Sequence, residues 1–79
     1  MTGLRLYSRP DCHLCEVAAG LLQEVAPAHP AHTVNIEEDT ELLGRYFLRI
    51  PVLQRLDSGR ELDWPFDANA LRAFLGADR

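Results

Sequence analysis

Hydrophobic and polar residues change their spacing early in the chain. Residues 4–8 alternate, which is typical of a half-buried strand, and Pro10 follows as a strand breaker. From residue 14 the apolar residues recur at offsets of three and four, which predicts a helix of about 14 residues that ends at Pro27. The predicted apolar face of this helix consists of Leu14, Val17, Ala18, Leu21, Leu22 and Val25.

The middle of the chain predicts a second strand and a second helix. Residues 31–36 include Thr33 and Val34, which favour extended structure. Asp39 or Thr40 is placed to cap the helix that follows. The predicted apolar face of this second helix consists of Leu42, Leu43, Tyr46 and Phe47.

The last third of the chain predicts a hairpin and a third helix. A strand over residues 52–56 and a short strand over about residues 60–64 flank the turn Asp57-Ser58-Gly59. Asp67 is placed to cap the final helix, and Phe66 precedes it where a hydrophobic staple begins. The predicted inner face of this helix consists of Leu71, Phe74 and Leu75.

The order of these elements is β-α-β-α-β-β-α, which belongs to the α/β class. A chain of 79 residues is long enough for one small domain, over residues 1–79. We expect the two β-α-β connections to give parallel neighbours and the hairpin to give an antiparallel pair. The predicted architecture is therefore a mixed four-stranded sheet flanked by three helices.

Charge and composition exclude some partners. The net charge is −4, and the eight basic residues are all arginines that form no basic run, so no nucleic-acid partner is expected. No apolar run is long enough for a membrane span, and the first residues do not resemble a signal peptide. We therefore expect a monomeric cytoplasmic protein that does not bind membranes.

The only two cysteines, Cys12 and Cys15, lie three residues apart where the first strand leads into the first helix. A cysteine in the first turn of a helix lies near unpaired N–H groups and the positive end of the helix dipole, and both favour the thiolate. Thiols in such positions have pKa values of about 3.5 to 7.5, against about 8.5 for a free cysteine. Arg9 favours the Cys12 anion, and Asp11 opposes it. The pair predicts a redox-active dithiol in which Cys12 attacks and the less exposed Cys15 resolves.

Other interpretations of the pair are a zinc site, a structural disulfide and two inert thiols. Zinc would require His29 and His32, whose spacing from the cysteines approaches that of a zinc finger. A helix of about 14 residues is roughly 20 Å long, however, and would carry the histidines away from the cysteines. A loop this short gains little stability from a disulfide, and Cys12 lies off the apolar face. Redox chemistry is the favoured interpretation.

Two segments, Tyr7 to Cys15 and Arg49 to Leu53, resemble the glutaredoxins, and in particular the short bacterial glutaredoxin-like proteins. This resemblance covers nearly the whole chain and implies a thioredoxin-like fold of the glutaredoxin type. It implies that Cys12 is the nucleophile, that Cys15 is the resolving cysteine and that Pro51 is a cis-proline beside them.

The resemblance also implies a substrate-binding role for three residues. Ile50 would pair its backbone with that of the substrate, next to Pro51. Arg9 stands where glutaredoxins usually carry a lysine that contacts glutathione. The expected function is that of a small thiol–disulfide oxidoreductase acting on a disulfide-bearing protein or a small thiol. The alternatives are a non-enzymatic binding module, or a metal- or iron–sulfur-binding protein that uses the same cysteines.

The chain departs from the glutaredoxin pattern at two places. His13 and Leu14 replace the usual Pro-Tyr between the cysteines, and His13 is a candidate modulator of the thiolate. Before the last helix, the usual Gly-Gly and aspartates are replaced by Leu-Asp-Trp-Pro-Phe-Asp over residues 62–67, so only Asp67 keeps its place. Glutathione remains a possible reductant although its usual pocket is incomplete, and no tightly bound cofactor and no metal are expected.

Trp64 and Phe66 invite two interpretations. They could form an apolar platform beside the active site, or they could cover one end of the core, and the core is favoured. The acidic residues 37–39 are interpreted as a solvated loop with a helix cap rather than as a docking site for a basic partner.

Overall fold

The computed structural model describes residues 3–76 and contains the predicted elements in the predicted order. The strands are β1 (Leu4–Ser8), β2 (Ala31–Asn35), β3 (Val52–Arg55) and β4 (Glu61–Asp63), and the helices are α1 (His13–Val25), α2 (Thr40–Tyr46) and α3 (Ala68–Leu75). The last residue of the predicted second strand, Ile36, instead begins a short 3-10 turn, Ile36–Glu38. Prediction and structure therefore differ by only a few residues at the element boundaries.

The four strands form one mixed sheet in the order β2-β1-β3-β4. β1 and β2 are parallel, β1 and β3 are antiparallel, and β3 and β4 are antiparallel. The mixed four-stranded sheet with three helices is confirmed, but the expectation that the second connection gives parallel neighbours is wrong. With seven residues, α2 covers about 10 Å, whereas the five-residue β2 is about 17 Å long. The chain therefore enters β3 from the edge where β2 ended.

A side chain at the preceding residue caps the start of each helix. Asp39 accepts hydrogen bonds from the N–H groups of Glu41 (2.9 Å) and Leu42 (3.3 Å) at α2. At α3, Asp67 accepts one from the N–H of Ala70 (2.8 Å). Cys12 is the N-cap of α1. The Asp67 cap is as predicted, and of the two candidates for α2, Asp39 and Thr40, it is Asp39 whose side chain satisfies the unpaired N–H groups of the first helical turn.

The main core lies between one face of the sheet and the helices α1 and α3. Its buried residues are Leu4, Leu6, Ala18, Leu22, Ala26, Leu53, Phe66, Leu71 and Phe74. Leu53 and Leu71 are fully buried. Trp64 packs against this core and meets Phe66 edge to face at 5.1 Å between ring centroids, which agrees with the core interpretation of the two aromatic residues.

A second, smaller core lies on the other face of the sheet, beneath α2. It contains Tyr7, Ile36, Tyr46 and Val52, with Val34, Leu42, Leu43 and Ile50 partly buried around it. The rings of Tyr7 and Tyr46 stack with centroids 4.1 Å apart.

Three residues predicted to face a core do not. Leu14 and Val17 of α1 are 47% and 43% exposed, and Phe47, at the end of α2, is 52% exposed. These residues keep the apolar spacing of their helices, but they lie beyond the part of each helix that packs against the sheet. Within residues 3–76, no helix has the length and apolarity that crossing a membrane requires.

Candidate active site

Cys12 and Cys15 form a disulfide at the point where β1 leads into α1. Their Cα atoms are 5.2 Å apart, which is an ordinary separation for bonded cysteines. Cys15 is 4% exposed, whereas Cys12 is partly exposed and accepts a hydrogen bond from the N–H of Cys15 through its Sγ atom (3.2 Å). The two sulfurs therefore differ as expected, with an outer cysteine that a partner can reach and an inner cysteine that packs against the fold.

The residue before the pair has an unusual backbone. Asp11 has a φ of 59°, in the left-handed region that few residues other than glycine adopt. Aspartate is one of the side chains that tolerate this region best, and the cost is about 1 kcal/mol. Through this turn the chain leaves β1 and presents Cys12 as the N-cap of α1.

The disulfide lies in a shallow depression of about 350 Å³. Its lining consists of Arg9, Asp11, Cys12, His13, Leu14, Phe47 and Ile50. The segment that contains the cysteines and the segment that precedes β3 therefore meet here, because β3 begins beside the carboxyl end of β1, where Tyr7 pairs with Val52. Four residues predicted for the site, Arg9, Cys12, His13 and Ile50, share this lining.

Pro51 follows Ile50 directly and is buried. The peptide bond between them is cis, as the resemblance to glutaredoxins implied. The carbonyl of Pro51 accepts a hydrogen bond from the N–H of Trp64 (3.1 Å), which joins this segment to the chain after β4.

The backbone of Ile50 is only partly available to a partner. Its N–H donates to the carbonyl of Tyr46 (3.1 Å). Its carbonyl accepts no hydrogen bond from the described residues 3–76. Pairing with an incoming strand is therefore open at the carbonyl of Ile50, whereas pairing at its N–H would require the bond to Tyr46 to break.

The histidines considered for zinc lie elsewhere. His29 lines a second depression, of about 290 Å³, between the C-terminal half of α1 and β2, where its Nδ1 atom is buried and has no hydrogen-bond partner in the described part of the chain. His32 is exposed on β2. Among residues 3–76, no three histidine, cysteine or acidic side chains lie close enough together to hold a metal ion.

The sequence reasoning missed a polar network that holds the segment before Pro51. Arg49 donates to both carboxylate oxygens of Asp63 (3.0 and 2.8 Å) and to Glu61 (2.6 Å). The Tyr46 hydroxyl donates to the other oxygen of Glu61. Arg49 also lies over the Tyr46 ring, 5.1 Å from its centroid. The end of α2 and the loop after it are thus tied to β4.

This network shifts the protonation equilibria of its members. Burial, together with the hydrogen bond to Glu61, raises the pKa of Tyr46 to about 12. Burial alone would raise the pKa of Glu61, but hydrogen bonds from Tyr46 and Arg49 hold that pKa below its usual value. The hydrogen bonds from Arg49 likewise lower the pKa of Asp63. Hydrogen bonds to Asp63 and Glu61 raise the pKa of Arg49, so all three charges persist at neutral pH.

A family model described as the glutaredoxin-like domain (DUF836) matches residues 3–76. The crystal structure of the X. campestris protein designated XcR50 is 51% identical to this chain, with a TM-score of 0.85, and the match covers 94% of this chain and 96% of that one. The solution structure of XcR50 is also 51% identical, with a TM-score of 0.82 and coverages of 98% and 95%.

A more distant solved structure has the same fold. The protein Ne2328 from Nitrosomonas europaea is 28% identical, with a TM-score of 0.80, over 92% of this chain and 89% of that one. No curated protein matches the chain significantly. The family match and these neighbours agree with the architecture described above and with the Cys12–Cys15 spacing.

Proposed function

The chain belongs to the glutaredoxin-like domain family, and from that premise we propose that it is a small thiol–disulfide oxidoreductase. The observation that carries the proposal is the unequal pair of sulfurs at the start of α1. Cys12 lines an open depression, and Cys15 is buried one helical turn behind it. A dithiol of this kind can accept an incoming disulfide at its outer sulfur and expel it with its inner one.

In the proposed reaction, the reduced protein attacks a substrate disulfide. The Cys12 thiolate forms a bond to one substrate sulfur, the substrate S–S bond breaks, and the other substrate sulfur leaves as a thiolate. The Cys15 thiolate then attacks the Cys12 sulfur, which forms the Cys12–Cys15 disulfide and releases the second substrate thiolate. Two electrons pass from the protein to the substrate, and an external thiol or dithiol must reduce the protein again.

The residues around Cys12 are assigned supporting roles. Arg9 is exposed in the same depression and favours an anionic sulfur, whereas Asp11 opposes it. Ile50 forms part of the wall against which a substrate backbone would lie, with its carbonyl as the available acceptor, and the buried Pro51 is proposed to hold Ile50 in this position. His13 is exposed beside Cys12 and is proposed to modulate its thiolate. We further propose a cytoplasmic monomer without a tightly bound cofactor or metal, with glutathione as one possible reductant.

The proposal is tested by a single-turnover reaction of the pre-reduced protein with bis(2-hydroxyethyl) disulfide, followed by mass spectrometry. We expect the wild-type protein to consume one disulfide and form its own disulfide. Cys15→Ser should stop as a mixed disulfide at Cys12, and Cys12→Ser should not react at a comparable rate. The pKa of the Cys12 thiol, followed by thiolate absorbance, should lie below about 8.5.

Two results would contradict the proposal. One is a Cys12→Ser variant that reacts as fast as the wild-type protein, together with a Cys12 thiol that titrates at about 8.5 or above. The other is a purified protein that carries stoichiometric zinc or an iron–sulfur chromophore on the two cysteines, because bound metal would occupy the attacking sulfur.

A further inference from the structure

Exposed apolar side chains are concentrated around the disulfide. In the described part of the chain, the exposed large apolar residues are Leu14, Val17, Phe47, Leu48 and Leu56. Leu14 and Phe47 line the depression that holds Cys12, Val17 lies one helical turn from Leu14, and Leu48 follows Phe47 and is 89% exposed. Only Leu56, at the far end of β3, lies apart from them. Single exposed apolar residues are ordinary, but a contiguous group of them indicates an interaction site.

We call this surface the apolar rim and define it as Leu14, Val17, Phe47, Leu48 and Ile50. The part of the rim at residues 47–50 is held in place by hydrogen bonds. The N–H of Phe47 donates to the Leu43 carbonyl (3.0 Å), and the N–H of Arg49 donates to the Tyr46 carbonyl (2.8 Å). The Arg49 side chain is bound to Glu61 and Asp63 on β4. The chain is thus fixed on both sides of Leu48, and Phe47 and Leu48 stay exposed while Ile50 packs partly against the small core beneath α2.

The charges in the depression do not select an anion. Arg9 and Asp11 both line it and both are exposed, so one positive and one negative charge lie beside Cys12. The whole chain carries a net charge of −4. Glutathione disulfide is itself a net anion, so neither the local nor the overall charge attracts it. The surface therefore offers a partner apolar area next to a reactive sulfur.

From these observations we propose that the apolar rim binds a polypeptide segment whose reactive cysteine is flanked by apolar side chains. This inference rests on the proposed function and names the substrate class of the same site. The apolar flanks of the segment lie on Phe47 and Leu48 on one side and on Leu14 and Val17 on the other. Its backbone passes Ile50, whose carbonyl is open to an N–H donor. The covalent steps are those given above, with the peptide cysteine supplying the sulfur that bonds to Cys12.

The test compares single-turnover rate constants of the pre-reduced protein with four disulfides. Two are short peptides of equal charge and length, each with one cysteine in a mixed disulfide with 2-mercaptoethanol. One peptide flanks this cysteine with leucine and phenylalanine, and the other flanks it with serine and glutamine. The third substrate is bis(2-hydroxyethyl) disulfide, and the fourth is glutathione disulfide.

We expect the apolar peptide to react about tenfold faster than the polar peptide, and faster than glutathione disulfide. The double variant Phe47→Ser, Leu48→Ser should lose this preference, whereas Leu56→Ser should keep it as the matched control. The preference is the ratio of the two peptide rate constants within each protein, and Leu56→Ser should reduce bis(2-hydroxyethyl) disulfide at the wild-type rate. The replaced side chains are all exposed, and circular dichroism verifies that both variants stay folded.

Each opposite result overturns the inference. Equal rates with the two peptides, faster reduction of glutathione disulfide, or a preference that survives in the double variant would refute the apolar partner and leave the oxidoreductase proposal standing. A protein that reduces none of the four disulfides would refute the proposed function and this inference together. The comparison of peptides on the wild-type protein decides the matter even if the double variant fails to fold.

Discussion

The sheet has two faces, which differ in what fills them. On the face beneath α1 and α3, nine buried residues form the main core, and all of them are apolar. Each fills space between helix and sheet and makes no directional bond through its side chain. Among residues 3–76, the one charged group buried on this face is Arg55, which lies at its margin and donates to the carbonyls at the end of α3.

On the face beneath α2 the buried groups are fewer and more polar. Tyr7 and Tyr46 stack, and their hydroxyls donate to Gln54 (2.6 Å) and to Glu61 respectively. Glu61 also binds Arg49, which lies in the loop between α2 and Pro51. The wall of the candidate active site belongs to this face, since Phe47 and Ile50 extend from the same loop.

The difference suggests a division of roles. Apolar burial is non-directional and accounts for most of the free energy of folding, so the α1 and α3 face should set stability. Hydrogen bonds and ion pairs contribute less net stability but specify geometry, so the α2 face should set the position of the loop beside Cys12. Substitutions on the first face should therefore change unfolding, and substitutions on the second should also change the reaction.

The largest effect is expected for Leu53→Ala. Leu53 is fully buried in the centre of the sheet, and truncation there leaves a cavity that costs about 2–5 kcal/mol. Leu56→Ala is the matched control, because this leucine is 49% exposed and its loss should cost about 0.5 kcal/mol or less. Urea denaturation measures both free energies of unfolding. A cost below about 1 kcal/mol for Leu53→Ala would mean that the apolar face does not dominate stability.

The second effect concerns the buried charge on the apolar face. Arg55 is 2% exposed, binds Asp57 with two hydrogen bonds (3.1 and 2.7 Å) and donates to the carbonyls of Phe74 and Leu75. Arg55→Met leaves those carbonyls without this donor and should cost about 1–3 kcal/mol. Asp57 is 43% exposed and can be solvated, which limits the loss.

Arg60→Met is the matched control for Arg55→Met. Because Arg60 is exposed, this substitution should lower the free energy of unfolding by about 0.5 kcal/mol or less. Denaturation midpoints compare the two variants, and amide exchange in α3 tests the cause. If Arg55 holds the end of α3, exchange there should speed up more than in α1. Equal stabilities of the two variants would show that the buried arginine contributes only its packing volume.

The third prediction concerns how the polar groups on the α2 face make the free energy of unfolding depend on pH. The pKa of Tyr46 is about 12 in the folded protein and about 10 in an unfolded chain. Between these values the folded state keeps a proton that the unfolded state has lost, so the free energy of unfolding falls as pH rises through this interval. In Tyr46→Phe this fall should be smaller, and stability at neutral pH should drop by about 1–2 kcal/mol.

At acid pH the signs are reversed. The pKa values of Glu61 and Asp63 are lowered by folding from their ordinary values of 4.5 and 3.8. Their contribution is complete above these values and is lost as pH falls through the lowered folded-state values. Arg49→Met should flatten this acid loss, because Arg49 bonds to both carboxylates, whereas Tyr46→Phe should reduce only the part that comes from Glu61. Denaturation at a series of pH values measures how the free energy of unfolding changes with pH. If the alkaline fall is the same in Tyr46→Phe as in the wild-type protein, Tyr46 is not its source.

The contrast between the faces also explains which features the sequence could predict. The caps at Asp39 and Asp67 and the strand at residues 4–8 depend on neighbours in the chain, so local patterns were sufficient to find them. The cysteine motif was found from its spacing, whereas the Ile50–Pro51 pair was implied by the resemblance to glutaredoxins, and Ile50 lines the same depression as Cys12. These features need little knowledge of tertiary structure.

Other features depend on tertiary structure. Apolar spacing placed Phe47 in the core, but a periodic pattern does not distinguish the covered part of a helix from an apolar rim beyond it. The direction of β3 depends on where the short α2 lies on the sheet. The bonds from Arg49 to Glu61 and Asp63 join residues twelve and fourteen positions apart, and no local rule pairs them.

The smallest expected effects come from the two aspartate caps, one on each face, and they provide the closest matched pair. Asp39→Ala and Asp67→Ala each remove an acceptor from a first helical turn and should each cost about 1 kcal/mol, measured by denaturation. On the proposed division of roles, only Asp39→Ala should also slow reduction of the apolar peptide, because α2 leads into the loop that carries Phe47 and Ile50. Rates with bis(2-hydroxyethyl) disulfide should stay equal in both variants, since that substrate needs Cys12 and little of the rim. If Asp67→Ala slows the peptide reaction as much as Asp39→Ala does, the reaction depends on overall stability, and the division between the faces fails.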